Sequence, residues 1–90
     1  MTDPAWRVEV TRTALKDLKR LDPPIRQRIQ QALVTFAADP HVSAQLRKLT
    51  GAPEWRLRVG DWRVLLLLDD ARRIIEITRV LPRGRAYRDQ

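Results

Sequence analysis

From Trp55 to Leu68 (WRLRVGDWRVLLLL) apolar and polar side chains alternate in two runs separated by Gly60-Asp61. Alternation of this kind is the period of a β-strand, and a Gly-Asp pair supplies the positive φ that a two-residue hairpin loop requires. With Gly60 and Asp61 as the loop, Val59 falls opposite Trp62, Arg58 opposite Arg63, Leu57 opposite Val64 and Arg56 opposite Leu65. One face then carries Trp55, Leu57, Val59, Trp62, Val64 and Leu66, and that face needs cover. The other gathers Arg56, Arg58 and Arg63. Like charges directly across a sheet cost stability unless something anionic sits over them, so this face is a candidate cationic platform. The three tryptophans, including Trp6, each sit in an apolar alternation and are read as core.

The same patterning orders the rest of the chain. Trp6 to Thr11 (WRVEVT) alternates as a first strand. Thr11 or Thr13 can cap a short helix with Ala14, Leu15, Leu18 and Leu21 on one stripe. Asp22-Pro23-Pro24 ends it and starts a second helix, in which Ile25, Ile29, Ala32, Leu33, Phe36 and Ala37 recur at helical spacing. Two helices joined so tightly predict a helical hairpin, whose stripes are the natural cover for the apolar sheet face. Asp39-Pro40 stops the second helix. Pro40 to Glu54 has no sustained period and reads as an irregular crossing segment, with a turn of helix expected at Ala44 to Lys48. Asp69 to Arg72 is turn-like, and Arg73 to Val80 is rich in β-branched residues, as a further antiparallel strand should be. A four-residue loop there places Ile75 and Ile77 on the core face, with Glu76 and Thr78 on the arginine face and Glu76 near Arg56 and Arg63. The expected fold is α+β: an antiparallel-rich four-stranded sheet with an N-terminal helical hairpin packed on one face, in the order β-α-α-β-β-β. Residues 1–90 are read as a single domain, since a chain this short holds one modest core.

Charge changes the picture more than composition does. Lys and Arg number 18 against 11 Asp and Glu, a net +7. Residues 1 to 45 hold 7 basic and 5 acidic side chains, whereas residues 46 to 90 hold 11 and 6, so the excess lies with the sheet and tail. Fifteen of the cations are arginine, whose planar fork binds phosphate bidentately, so the balance points to a phosphate-rich partner or an acidic protein. The cations of the helices, Lys16, Lys19, Arg20, Arg26 and Arg28, read as a solvated face, with contact to ribosomal RNA as the alternative. There is no cysteine and a single histidine, His41, which reads as a surface residue; neither a disulfide framework nor a zinc site is expected. No cofactor or metal is implied. No apolar run approaches the length of a membrane span, and the N-terminus lacks the apolar core of a secretory signal, so a cytoplasmic protein with no membrane contact is expected.

The strand, two-helix, three-strand order, together with the motif L-x-G-x-P-x-W-R-L-R-V-G-D-W-R-V from Leu49 and R-V-x-x-R-x-x-x-Y-R from Arg79, resembles the RelE/ParE superfamily of bacterial toxins from type II toxin-antitoxin pairs. The resemblance spans nearly the whole chain and is densest from Leu46 to Arg88. RelE-type members are ribosome-dependent messenger-RNA endonucleases that inhibit translation. The two basic positions before the turn match Arg56 and Arg58, the arginine after it Arg63, the arginine after the last strand Arg83, and the tail tyrosine Tyr87. The resemblance thus implies a catalytic set of Arg56, Arg58, Arg63, Arg83 and Tyr87, with Lys48, Arg85 and Arg88 as further RNA contacts, and as partners a cognate acidic antitoxin, messenger RNA and the ribosome.

The chemistry of these side chains suits that role. Attack of a 2′-hydroxyl on the adjacent phosphate builds negative charge on a five-coordinate phosphorus, which preorganised arginines can stabilise without a metal. A proton acceptor is also needed, and arginine is a poor one. Tyr87 is the remaining candidate, with base stacking or a plain tail anchor as its other roles. Many relatives carry a histidine one residue before the tail arginine; here that position is Pro82. This departure keeps two alternatives open: a ParE-like protein inhibitor of DNA gyrase that cuts nothing, and an inactive degenerate toxin retained as a binding partner.

Overall fold

A computed structural model describes residues 5–83. Strand β1 (Arg7–Val10) leads into helices α1 (Arg12–Lys19) and α2 (Pro23–Ala38) and a 3₁₀ turn at Pro40–Val42. Strands β2 (Leu46–Lys48), β3 (Trp55–Val59), β4 (Trp62–Asp69) and β5 (Ile74–Pro82) follow. They form one sheet in the order β1-β5-β4-β3-β2, antiparallel except where β1 runs parallel to β5. The α+β class with both helices on one sheet face is as expected, but the sheet has five strands, not four. The added strand is β2, in the stretch expected to make a turn of helix. Three residues carry too little period to be read, and it is pairing of Leu46 with Leu57 and Arg47 with Arg56 that recruits them.

The β3–β4 hairpin has the expected register at all four pairs from Val59–Trp62 to Arg56–Leu65. Gly60 takes φ 58° and Asp61 does not share the positive region, which is the pattern of a type II′ turn, whose twist matches that of the flanking strands. The two helices cover the apolar face, α1 against β5 and α2 against β1 and β3. Ile29, Val64, Leu66, Ile75 and Ile77 are wholly buried there, with Leu33, Phe36 and Leu57 beside them and Trp6, Trp55 and Trp62 packed around the rim. Two residues of the expected stripes, Val10 and Leu15, are instead exposed, at 40% and 44%.

Caps and prolines set the helix ends. Thr11 is the N-cap of α1, its Oγ1 accepting from the Ala14 N–H at 3.2 Å. Asp22 occupies the N-cap of α2 without a side-chain cap bond. Pro23 and Pro24 remove two of the N–H groups that would otherwise need satisfying, which leaves that side chain little to do.

A β-bulge decides the far side of the sheet. The β4–β5 register shifts between Leu65 and Leu66, so that Leu65 opposes Arg79 and Leu66 opposes Ile77, with Thr78 inserted between. The Thr78 hydroxyl donates to the Leu65 carbonyl at 3.1 Å. Without the extra residue Arg79 would face Val64 in the core; with it Val80 does, and Val80 is 3% exposed. The bulge also frees backbone at the open edge of β5 beyond the end of β1. Asp17 of α1 takes up that edge, its carboxylate accepting the Val80 N–H and the Arg79 Nε–H, each at 2.9 Å. Glu76 is not near Arg56 or Arg63. It lies opposite Leu67 on one side and Glu9 on the other, whereas Arg63 opposes Leu81, because Glu76 of β5 pairs near the far end of β4 from Arg63.

Candidate functional site

The outward face of the sheet carries the arginines on two adjacent rungs. One rung runs Arg58–Arg63–Leu81 and the next Arg47–Arg56–Leu65. Rungs on one face are about 6.8 Å apart and neighbouring strands about 4.8 Å, so the four guanidinium stems start within the reach of one phosphodiester unit. Arg47 was not among the residues expected at the site; β2 brings it there, and no periodicity in so short a strand could have shown it. Its Nη1 donates to the Ala44 and Leu46 carbonyls at 3.0 and 2.9 Å.

The members differ in what holds them. Arg58 is exposed, and its Nε donates to Gln45 Oε1 at 2.9 Å while its backbone N–H donates to the Gln45 carbonyl at 3.1 Å. One glutamine therefore fixes both ends of that residue and orients the fork. Arg56 is half-buried. Arg63 is only 5% exposed, and its Nη1 donates to the Gly60 and Trp62 carbonyls at 3.2 and 3.0 Å. Part of its bonding capacity thus braces the hairpin turn, a structural duty that alternation could not reveal.

The turn is also where the chain's end returns. The Arg83 N–H donates to the Asp61 carbonyl at 2.8 Å, and Trp62 pairs with Pro82, which sets Arg83 at the hairpin tip beside the arginine rungs. From the helical layer the Arg28 guanidinium reaches the same tip: a Cβ placed on Gly60 would meet Arg28 Nη2 at 3.1 Å. Arg28, read first as a solvated helix residue, is thus a further cation of this corner. Lys48 is not brought to it. Its register partner is Trp55, on the helix-bearing face, where Nζ lies 5.3 Å from the ring centroid and donates to the Pro53 carbonyl at 2.7 Å. Tyr87, Arg85 and Arg88 lie outside the described residues. His41 is remote from the site, with its ring edge-on to Trp6 and Nε2 against the Asp70 carboxylate.

Among the described residues no group of three or more His, Cys, Asp or Glu side chains could hold a metal ion. No helix among them is long and apolar enough to cross a membrane. The arrangement can bind and neutralise an anion with several forked donors on a rigid sheet.

A helical layer on one face of a small mixed sheet is the fold of RelE-type toxins, and comparison with known proteins places the chain among them. The family model described as ParE toxin of type II toxin-antitoxin system, parDE, matches residues 8–87, and the chain belongs to that family. A relative from Methanocaldococcus jannaschii bearing the name toxin RelE1 is 33% identical over 89 residues, which cover 93% of this chain and 97% of the relative. Among solved structures, the archaeal RelE-RelB complex from Pyrococcus horikoshii superposes with a TM-score of 0.77 at 25% identity, covering 91% of this chain and 99% of the other. The toxin-antitoxin complex RelBE2 of Mycobacterium tuberculosis superposes with 0.70 at 29% identity, covering 89% and 100%.

Proposed function

We propose that the chain, a toxin of a type II toxin-antitoxin family, arrests growth by cutting messenger RNA in the ribosome, and that a cognate antitoxin restrains it by covering the arginine face. The observation that supports this reading is the convergence of Arg56, Arg58, Arg63 and Arg83 on one corner of the sheet, with Arg47 added by β2. In the proposed step the 2′-hydroxyl of one nucleotide gives up its proton and attacks the adjacent phosphorus, the bond from phosphorus to the 5′-oxygen of the next nucleotide breaks, and that oxygen takes up a proton, leaving a 2′,3′-cyclic phosphate and a 5′-hydroxyl while the arginines hold the charge that builds on the non-bridging oxygens. Arg58, exposed and aimed by Gln45, is the forked donor best placed to meet phosphate; Arg63 contributes from a buried position with its turn contacts kept. Tyr87 takes the role of proton carrier or stacking partner. The residues present supply this chemistry without calling on a metal ion. The two complexes of similar fold, from Pyrococcus horikoshii and Mycobacterium tuberculosis, contain an antitoxin, which supports the partner.

A second reading is favoured by a specific observation. The matching family model is that of ParE toxins, and Pro82 occupies the position where many RelE-type relatives carry a histidine. On that reading the same corner binds DNA gyrase and cuts nothing. Inducing the protein and following incorporation of labelled methionine and thymidine separates the two. Early loss of translation with new messenger-RNA 5′ ends supports the nuclease; early loss of replication with intact messages moves the protein to the gyrase class.

A further inference from the structure

The outward residues of β4 run Arg63, Leu65, Leu67, Asp69, so a single strand passes from cationic through apolar to anionic along one face. On β5 the order differs, with Leu81 opposite Arg63 and Arg79 opposite Leu65, but the two corners of the face keep opposite charge. Arg47, Arg56 and Arg58 stand on the β2–β3 side, while Glu76 of β5 and Glu9 of β1 stand directly opposite each other at the far corner. Two carboxylates at paired positions repel. Arg7 offsets part of the charge on Glu9 through an exposed contact of 3.2 Å. Glu76 makes no hydrogen bond or ion pair with the described residues. Between them opens a notch of about 260 Å³ lined by Glu9, Leu67, Asp69, Ile74 and Glu76, with Arg72 at its rim 3.9 Å from Asp69. An apolar floor under two carboxylates suits a lysine or arginine, whose stem packs on Leu67 and Ile74 while its head meets the acids. Both helices lie on the other face, α1 against β5 and α2 against β1 and β3.

We propose that this face is a docking surface for a protein segment of opposite polarity, with acidic side chains over Arg47 and Arg58, apolar side chains over Leu65 and Leu67, and a basic side chain in the notch between Glu9 and Glu76. The inference rests on the antitoxin reading above and deepens it. From the Arg58 rung to Glu9 is three strand spacings across and four residues along, about 20 Å on the diagonal, which about six extended residues span. Nucleic acid does not fit the whole face, because its backbone is anionic throughout and would be repelled from the glutamate corner. A protein segment can change sign along its length. The consequence is counter-intuitive for a chain of net charge +7: the tightest partner segment is not the most acidic one.

The test uses the full chain and two synthetic, fluorescently labelled peptides of equal length with the same leucine centre, one acidic at one end and lysine-bearing at the other, one acidic at both ends. Net charge alone favours the all-acidic peptide. Docking by polarity favours the bipolar peptide, by about threefold or more in Kd at physiological salt, the scale expected for one or two exposed ion pairs exchanged for repulsions. Glu76→Gln, which keeps the side-chain shape, should narrow that preference, and Glu9→Lys with Glu76→Lys should reverse it, with melting curves confirming that each variant is folded. Equal or tighter binding of the all-acidic peptide to the parent, failure of both peptides to bind, or a preference unmoved in the folded glutamate variants would overturn the proposal. Growth arrest on induction is read separately. Arrest without the peptide preference removes the bipolar surface and leaves the toxin reading, and the preference without arrest does the converse.

Discussion

Replacing Asp17 tests the joint between the first helix and the bulged strand. Its carboxylate, in a residue 9% exposed, accepts the Val80 N–H and the Arg79 Nε–H at 2.9 Å and the Arg79 Nη2–H at 3.5 Å. Asp17→Ala strands a buried backbone N–H, which costs about 1 to 3 kcal/mol. Loss of the Arg79 contact adds no more than about 1 kcal/mol, because that side chain is 37% exposed and can turn to water. The expected sum is about 3 kcal/mol, or a fall in Tm of roughly 12 to 24 °C for a domain of this size. Asp17→Asn keeps an oxygen for the Val80 N–H and gives up only the charge, so about 1 kcal/mol should go, roughly 4 to 8 °C. Thermal unfolding followed by circular dichroism, with urea titration as the independent measure, reads both. A Tm for Asp17→Ala within about 2 °C of the parent, or equal losses for the two variants, would refute the claim that the backbone bond carries most of the effect.

Three further expectations use the same assays. Leu33→Ala, at a residue 6% exposed beneath the sheet, should cost about 2 to 4 kcal/mol by lost burial and a residual cavity, and a near-parental urea midpoint would count against the packing described. Gly60→Ala should cost about 1 to 2 kcal/mol from a side chain forced to φ 58°, and pairing it with Arg28→Ala should recover only the steric part, since the backbone strain remains. Arg58→Ala and Arg63→Ala should each lower messenger-RNA cleavage by about 10²-fold if the nuclease reading holds. They should differ in stability: Arg58→Ala should melt close to the parent, while Arg63→Ala should lose about 1 to 2 kcal/mol with its bonds to the Gly60 and Trp62 carbonyls.

That difference between two arginines on one rung marks where pattern stops being informative. Alternation around Gly60-Asp61 determined the hairpin register, the apolar face and the arginine face, because side-chain period and turn chemistry are local properties of the chain. Helical spacing from Ile25 to Ala37 likewise determined which side of α2 is buried. Asp17 lies on the stripe of Ala14, Leu18 and Leu21, and an acid at a buried helical position was a readable signal of a partner across the core. What that partner was depended on tertiary structure alone. An extra residue in β5 exchanges Arg79 for Val80 beneath the helices, and nothing local marks Thr78 as that residue; the bulge forms because burying valine is favourable and burying an unpaired arginine is not. β2 is decided in the same way, since three residues form a strand only when an edge is offered to them. With it came Arg47 and Gln45 at the site, while Lys48 went to the other face. The opposition of Glu9 to Glu76 joins residues at the two ends of the chain, and only closure of β1 onto β5 brings them together.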